Sequence, residues 1–292
     1  MRVLLTGATG LLGGALTEEL GELGHEARCL VREDSPNVRC LDPAKVEVVR
    51  GDASDEKSLA RAASGADAVI HAAGIEHAPQ VVSALQRAGV RRLVAVSSTS
   101  AHSRYEARSG PKLAMEEVVR RSGLEWTIVR PSMIYGSELD KNIHRLLRFL
   151  DRSPVFPVFG SGENLWQPVY YEDLARGVAA TLGHAGAPGQ TYDLPGAAPL
   201  SYRELIETAA RALGRKARIV RLPLEPVRLG LRLAESARLP LPVESEQVLR
   251  LREDKAYSYE KARRELGYAP RGFEAGVELE VRRLREAGVL RA

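Results

Sequence analysis

Cysteine is scarce in this chain. Only Cys29 and Cys40 occur among its 292 residues, and Cys29 falls inside a candidate strand. The two do not have the spacing of metal ligands, so the sequence predicts no metal site. So little cysteine is typical of a protein from a reducing compartment, and we expect a cytoplasmic location.

Long apolar runs are also missing. No stretch approaches the roughly 18 unbroken apolar residues of a membrane span, so none is expected. The apolar stretch that follows Arg2 is too short for a signal peptide, and no small-residue cleavage site comes after it. This stretch is instead typical of a buried strand.

A large excess of charge of one sign is absent as well. The 42 Lys and Arg residues oppose 38 Asp and Glu residues, which gives a net charge of +4. Basic residues cluster at 211–221 and 228–238, but acidic and apolar residues interleave with them, as on solvated helix faces. We therefore expect a small-molecule substrate as partner, and no nucleic acid.

What the chain does have is a regular alternation of apolar segments and helical patterns. Strands are predicted at Arg2–Thr6, Glu26–Val31, Val46–Arg50, Ala68–Ala72, Arg92–Ser97 and Glu125–Arg130, with helices near 11–24, 54–64, 78–89 and 111–122. Strands such as "AVIHAA" and "LVAVSS" lack polar alternation, so both faces of their sheet should be covered. This predicts an α/β fold, a doubly wound parallel sheet of the Rossmann type.

The regular alternation ends after Pro131. We expect residues 1–136 to form a dinucleotide-binding core, with 165–195 returning to it as a helix and the strand "TYDLPG". Residues 137–164 and 196–292 are predicted to form a smaller, mainly helical substrate lobe. The oligomeric state is left open between monomer and homodimer.

Three glycines stand between the first strand and the first helix. Gly7 permits a sharp turn, Gly10 lets backbone amides approach a pyrophosphate, and Gly13 lets the helix lie close to the strand. The helix N-terminus attracts the negative charge. The predicted phosphate loop also includes Thr9, Leu11 and Leu12. A strand–helix junction without a ligand is the competing interpretation.

Several motifs beyond the glycines support a family assignment. They are "TGATG" in Gly-x-x-Gly-x-x-Gly spacing, "GDASD" at 51–55, "HAAG" at 71–74, "VSST" at 96–99, "RPSMIYG" at 130–136, "PVYYEDLARGV" at 168–178 and "LGYAPRGFEAG" at 266–276. The chain resembles the extended or atypical branch of the short-chain dehydrogenase/reductase superfamily, which includes nucleotide-sugar epimerases and reductases. Within it, the likeness is to bacterial relatives of the nucleotide-binding accessory subunit of respiratory complex I.

The end of the second strand bears on the choice of cofactor. Proteins that prefer NAD usually carry Asp or Glu there, but this chain has Val31 followed by Arg32. Since an arginine fork suits a 2′-phosphate, NADP is predicted. NAD stays possible, because Glu33 and Asp34 could serve the ribose.

The resemblance implies further cofactor contacts. Asp52 would meet the adenine amino group, unless it only forms a turn. The other implied cofactor-binding residues are Ala53, Ala72, Ala73, Gly74, Ser97, Lys112 and Pro131.

The catalytic pattern of the superfamily is incomplete here. The resemblance implies Thr99, with Ser98 as the alternative, as the hydroxyl that orients the substrate. It also implies Lys112 as the lysine that holds the nicotinamide ribose. Four residues before Lys112, where the family has a tyrosine, stands Arg108. Arginine stays protonated and cannot act as the base.

A substitute proton carrier must come from elsewhere. Tyr105 is the nearest candidate, with His102 and Tyr135 as further ones. The pair Gly110–Pro111 predicts a helix that begins at Pro111, which argues against one helix carrying both Tyr105 and Lys112.

Two functions of different classes follow from this pattern. The first is an NADP-binding oxidoreductase or epimerase that acts on a small polar or nucleotide-linked substrate. The second is a non-catalytic dinucleotide-binding module that serves as a redox sensor or as an assembly or structural factor. The missing tyrosine favours the second, while Thr99, Lys112 and a full substrate lobe favour the first.

Overall fold

A computed structural model describes residues 1–223 and 253–291 of the chain. The chain divides into two units. The first comprises Met1–Ile134, Val169–Pro195 and Tyr257–Arg271, and the second comprises Tyr135–Pro168, Gly196–Ala256 and Gly272–Ala292. The predicted basic segment 228–238 lies outside the described residues.

Thirteen strands are present in the described residues. They are β1 Arg2–Thr6, β2 Glu26–Val31, β3 Val46–Arg50, β4 Ala68–His71, β5 Arg92–Val96, β6 Glu125–Pro131, β7 Ile134–Tyr135, β8 Val155–Phe159, β9 Leu165–Trp166, β10 Val169–Tyr170, β11 Gln190–Leu194, β12 Leu200–Ser201 and β13 Arg218–Leu222. Seven of them form the sheet of the first unit in the order β11-β6-β5-β4-β1-β2-β3. All neighbours in this sheet are parallel. The predicted doubly wound α/β fold is confirmed.

Helices connect these strands. In the described residues they are α1 Leu11–Glu22, α2 Glu56–Ala63, α3 Ala78–Ala88, α4 Glu106–Arg120, α5 Ile143–Arg152, α6 Tyr171–Gly183, α7 Tyr202–Ala212, α8 Glu260–Leu266 and α9 Phe273–Glu286. Side chains from α2, α3 and α4 pack with the sheet in one apolar cluster that includes Leu59, Leu85, Val119 and Ile128. Helices α1 and α6 pack against each other. None of the described helices is long and apolar enough to cross a membrane.

The start of α4 corrects a prediction. The helix begins at Glu106 and runs through Gly110 and Pro111, and not from Pro111 onward. The carbonyl of Tyr105 accepts the first bonds of the helix, from the backbone N–H groups of Arg108 and Ser109. A proline inside a helix costs one backbone hydrogen bond, and the packing of the buried residues of α4 outweighs that loss here. Arg108 and Lys112 therefore lie one turn apart on a single helix.

The segment Tyr257–Arg271 also corrects a prediction. The sequence assigned all of 196–292 to the second lobe, but this segment belongs to the first unit. The Tyr268 hydroxyl donates to the Pro195 carbonyl at 2.8 Å. The Arg271 guanidinium donates to the buried Asp173 carboxylate of α6 at 2.9 Å. These bonds hold the segment against α6 and β11. The motifs at 168–178 and 266–276 contain Asp173, Tyr268 and Arg271 but do not predict that these residues pair.

The described residues of the second unit form three helices and two small sheets. Strands β8 and β13 pair in parallel, and β9 and β12 pair antiparallel. Helix α7 begins with a capping box, in which Ser201 and Glu204 each satisfy the other's backbone N–H. Caps of this kind fix where a helix starts without help from the core.

A buried carboxyl group lies in the second unit, on α9. Glu280 is 0% exposed, and neither of its carboxylate oxygens has a hydrogen-bond partner in the described part of the chain. Burial raises the pKa of Glu280 to about 9, and the nearby charges of Asp140 and Glu138 add to the effect. The folded protein therefore holds a proton on Glu280 at neutral pH.

This proton makes stability depend on pH. An unfolded glutamate ionises above a pKa of about 4.3, whereas Glu280 keeps its proton in the folded chain up to about 9. Between these values the wild type should lose up to about 1.4 kcal/mol of unfolding free energy per pH unit relative to Glu280→Gln. Urea unfolding of both proteins between about pH 5 and about pH 8 measures the difference. Glu278→Gln, at an exposed position of α9, is the matched control, and equal pH slopes in wild type and Glu280→Gln would contradict the assignment.

Candidate dinucleotide site

A cavity of about 320 Å³ lies at the carboxyl edge of the sheet in the first unit. It is bordered by the loops that follow β1, β2, β3 and β4, where the strand order reverses direction between β1 and β4. Open α/β sheets bind their ligands at such a point. The lining residues are Gly7, Thr9, Gly10, Leu30, Val31, Arg32, Ser35, Gly51, Asp52, Ala53, Ala72, Ala73 and His77.

Two of the loop glycines are required by the fold itself. Gly7 has φ +76°, and a Cβ there would lie 2.7 Å from the Ala72 backbone. A Cβ on Gly13 would lie 2.0 Å from the Gly7 carbonyl oxygen. The first glycine permits the turn, and the second permits α1 to approach β1.

Gly10 has a different reason to be glycine. It is the N-cap of α1 with φ −87°, so its backbone suits any residue. A Cβ would meet only the Gly7 carbonyl oxygen, at 3.3 Å. The packing of the chain therefore does not by itself require glycine at position 10. A phosphate group against the first turn of α1 would require it, because a side chain there would occupy the space of the phosphate. The loop fits a dinucleotide.

The remaining loop residues lie around this turn. Leu11 and Leu12 begin α1, with Leu12 buried. The Ser35 hydroxyl donates to Thr9 Oγ1 at 3.0 Å, and the Asn37 amide donates to the Thr9 carbonyl at 3.3 Å. These bonds fix Thr9 against the loop after β2.

Arg32 borders the far end of the cavity, directly after Val31. Its side chain is 61% exposed, and its Nε lies 3.8 Å from Asp34 Oδ1. The Arg50 guanidinium donates to the Arg32 carbonyl at 3.1 Å. Ser35 also lines this end. Sequence reasoning missed Ser35, although its hydroxyl follows "RED" within the loop.

Asp52 lies at the same end, next to Ala53. Its Oδ1 accepts hydrogen bonds from the Ser54 backbone N–H and from the Ser54 hydroxyl, both at 2.8 Å. These bonds, with a smaller contribution from the charge of Arg32, hold the pKa of Asp52 below its usual value. The carboxylate is therefore ionised and forms the turn after β3, which accounts for the acid even without a ligand.

A buried histidine positions the loop after β4. The Thr6 hydroxyl lies 2.7 Å from His71 Nδ1, and His71 Nε2 lies 2.7 Å from the Gly74 carbonyl oxygen. Burial lowers the pKa of His71 to about 4, so the ring is neutral. Since a carbonyl can only accept, Nε2 carries the proton and Nδ1 accepts from Thr6. The motif "HAAG" did not predict that His71 positions this loop.

The residues predicted on the reacting side lie outside the lining of the cavity. The Ser97 hydroxyl donates to Glu116 Oε1 at 2.6 Å, so it is engaged by the protein. Thr99 is buried at the start of the three-ten turn Thr99–His102. Lys112 Nζ lies 3.5 Å from Glu76 Oε2. Gly74, Leu11, Leu12, Gly13 and the buried Pro131 also do not line it.

Glu116 is the charged residue that sequence reasoning missed on this side. It is 0% exposed and accepts hydrogen bonds from Arg130 at 2.6 and 2.9 Å and from Arg120 at 2.7 Å. Burial raises the pKa of Glu116, but the hydrogen bonds from Arg130 and Ser97 outweigh burial and hold it below its usual value. A buried ionised carboxylate is thus fully paired.

The three candidate proton carriers differ in their surroundings. Tyr105 is the N-cap of α4, and its hydroxyl accepts a hydrogen bond from Arg104 at 3.2 Å. Tyr135 is fully buried, and its hydroxyl donates to the Phe273 carbonyl at 3.4 Å. His102 is partly exposed and pairs with Asp193.

Known proteins resemble this chain in both sequence and fold. A family model described as NAD(P)H-binding matches residues 7–148. A ceramide reductase from Caulobacter vibrioides is 32% identical over 243 residues, which cover 76% of this chain and 73% of that protein. The chain belongs to the extended short-chain dehydrogenase/reductases. Its first unit is an NAD(P)-binding domain.

Two further proteins resemble this chain, one in sequence and one in fold. NADH dehydrogenase (ubiquinone) 1 alpha subcomplex subunit 9 from Arabidopsis thaliana mitochondria is 29% identical over 269 residues, covering 84% of this chain and 66% of that protein. A nucleoside-diphosphate-sugar epimerase from Pseudomonas aeruginosa has a TM-score of 0.80 at 22% identity, covering 100% of this chain and 99% of that one. The epimerase shares the fold.

The glycine loop gives a direct test of the site. Gly10→Val should weaken NADPH binding at least tenfold, because a forced overlap costs on the order of 1–3 kcal/mol. Gly14→Val is the matched control, since a Cβ at Gly14 meets nothing within 4 Å. Calorimetry measures both dissociation constants. Equal affinity in wild type and Gly10→Val would place the dinucleotide elsewhere.

Proposed function

We propose that the protein is an NADP(H)-dependent oxidoreductase or epimerase that acts on a small polar or nucleotide-linked substrate. The observation that carries the proposal is the cavity at the strand reversal. At its edge, where α1 begins, Gly10 presents only backbone, and the packing of the chain does not by itself require a glycine there. Both features suit a dinucleotide diphosphate. The likeness to a ceramide reductase supports a hydride-transfer reaction.

The preference for NADP rests on the residues at the far end of the cavity. Val31 cannot accept hydrogen bonds from the ribose hydroxyls, whereas Arg32 can bind a 2′-phosphate with two N–H groups. Ser35 adds a hydroxyl on the same wall. The contact between Arg32 and Asp34 is long and exposed, at 3.8 Å, so a phosphate can replace it at little cost.

The reacting end uses three groups of this chain. Thr99 orients the substrate oxygen, and Lys112 holds the nicotinamide ribose. Glu76, which lies 3.5 Å from Lys112 Nζ, keeps the ammonium group directed toward the loop after β4. The nicotinamide supplies or accepts the hydride, and the protein's residues bind the substrate oxygen and move its proton.

A second candidate function is a non-catalytic dinucleotide-binding module. It is favoured by Arg108, which occupies the place of the tyrosine, and by the likeness to a subunit of NADH dehydrogenase. The two functions predict different results for a panel of aldehydes, ketones and keto-sugar nucleotides. An oxidoreductase oxidises NADPH with at least one of them, an epimerase converts a sugar nucleotide without net oxidation of NADPH, and the module does neither.

Cofactor preference gives the sharpest prediction. The wild type should bind NADPH more tightly than NADH, and Arg32→Ala should weaken NADPH binding by about 2 kcal/mol, or roughly thirtyfold, through loss of a charge-assisted contact. NADH binding should hardly change. Arg39→Ala, which removes an exposed arginine outside the cavity, is the control. A wild type that prefers NADH would refute the proposal and point to Glu33 or Asp34 as ribose ligands.

A second test concerns the lysine. Lys112→Ala should raise the dissociation constant for NADPH about tenfold, since one hydrogen bond from a charged group is lost. Lys57→Ala, at the start of α2 and away from the cavity lining, should leave it unchanged. Both constants are measured by calorimetry, and an unchanged constant for Lys112→Ala would remove Lys112 from the ribose site.

A further inference from the structure

The proposed function leaves one role unfilled, because no tyrosine stands one turn before Lys112. Arg108 lies there on α4, and a guanidinium cannot take up a proton. The chemistry of a carbinol or carbonyl substrate needs a group that can both accept and return one.

Three elements bring such a group to the carboxyl edge of the sheet. The three-ten turn that follows β5 ends at His102. In the neighbouring strands β6 and β11, Arg130 and Asp193 are direct cross-strand partners. The three side chains meet at the carboxyl ends of β5, β6 and β11, in the half of the sheet opposite to β2, after which Arg32 stands.

His102 and Asp193 form a close pair. His102 Nε2 lies 2.9 and 3.0 Å from the two oxygens of Asp193. The side chains remain 38% and 24% exposed, respectively. The His102 ring also stacks on Tyr257 at a centroid distance of 5.6 Å. The histidine is thus held in place and still reachable by a small molecule.

The pair fixes which ring nitrogen can react. Two charged groups contact Nε2: the Asp193 carboxylate, which can only accept, at 2.9 and 3.0 Å, and Arg130 Nη1, which can only donate, at 3.3 Å. The two shorter contacts favour a proton on Nε2, which leaves the lone pair on Nδ1. Asp193 would also stabilise the imidazolium that forms when Nδ1 takes up a proton. This is the way in which an aspartate orients a catalytic histidine in hydrolases.

A third charged group, Arg130, stands next to the pair. Arg130 Nη1 lies 3.3 Å from His102 Nε2, which places a positive charge beside the ring. The same guanidinium is bound through its other nitrogens by the buried Glu116 carboxylate, at 2.6 and 2.9 Å. Since Glu116 balances Arg130, Asp193 remains the partner of the histidine.

The turn brings His102 to the substrate-orienting hydroxyl. A three-ten helix has three residues per turn, so side chains three positions apart project from the same side. Thr99 and His102 are separated by three positions in the turn Thr99–His102. A substrate oxygen bound by the Thr99 hydroxyl would therefore face the side on which His102 stands.

We propose that His102, oriented by Asp193, is the catalytic residue that carries the substrate proton. The inference rests on the proposed function. In the oxidation of an alcohol, the C–H bond of the carbinol breaks with its electron pair going to the nicotinamide of NADP⁺. The O–H bond breaks with its proton going to His102 Nδ1, and the carbonyl forms. Reduction runs the same step in reverse, with NADPH as the reductant.

One readout needs no substrate. Nitrogen NMR of the histidine rings, assigned by comparison with His102→Gln, should show that the neutral ring of His102 carries its proton on Nε2 and none on Nδ1. Asp193→Asn should abolish this preference, because the amide can donate as well as accept. A proton found on Nδ1 in the wild type would overturn the proposal, whatever the activity.

The second readout is turnover of NADPH with the carbonyl panel. His102→Gln should lower kcat by about 10²–10⁴, while the NADPH dissociation constant and thermal unfolding stay those of the wild type. His184→Gln, at the end of α6, should leave kcat unchanged. Two results would overturn the assignment of His102 while leaving the proposed function intact. One is a wild-type kcat in His102→Gln, and the other is a loss of kcat of about 10²–10⁴ in Tyr105→Phe that His102→Gln does not show. No turnover by the wild type would instead refute the proposed function.

Discussion

The reacting side of this protein depends on one buried carboxylate. Glu116 of α4 is bound by Ser97 at the end of β5 and by Arg130 in β6. These bonds lock the helix against the carboxyl ends of two neighbouring strands. Removing one partner of such a buried pair costs on the order of 3–5 kcal/mol, because the other charge is left unpaired. The position of Lys112, one turn earlier on α4, follows from this lock.

The bonds of Glu116 also determine which side chains at the carboxyl edge of the sheet are already engaged within the protein. The Ser97 hydroxyl is engaged by Glu116, and Thr99 is the hydroxyl that we propose for the substrate. Arg130 joins the buried carboxylate to the exposed pair of His102 and Asp193. The part of the cavity at the glycine loop is built differently, from backbone turns at Gly7 and Gly10 and from the neutral His71. Steric requirements therefore shape the glycine loop, whereas paired charges shape the side that carries Glu116 and His102.

The sequence was sufficient for the parts that depend on local pattern. Unbroken apolar segments predicted the parallel strands, and the spacing of Gly7, Gly10 and Gly13 predicted the loop after β1. It was insufficient where distant residues decide the structure. Pro111 indicated a helix start, but packing allows α4 to begin earlier. Glutamate is usually a surface residue, so nothing in the sequence predicted that Glu116 is buried. His102 and Asp193 are 91 positions apart, so no motif could pair them.

The central claim is that this member of the extended short-chain dehydrogenase/reductases holds NADP at the strand reversal of its first unit. A diffraction structure of the protein grown with NADP⁺ tests it most directly. We expect density for the diphosphate against the backbone N–H groups of Leu11 and Leu12, in the first turn of α1, with the 2′-phosphate in contact with Arg32. A dinucleotide seated outside this cavity, or one whose 2′-phosphate points away from Arg32, would contradict it.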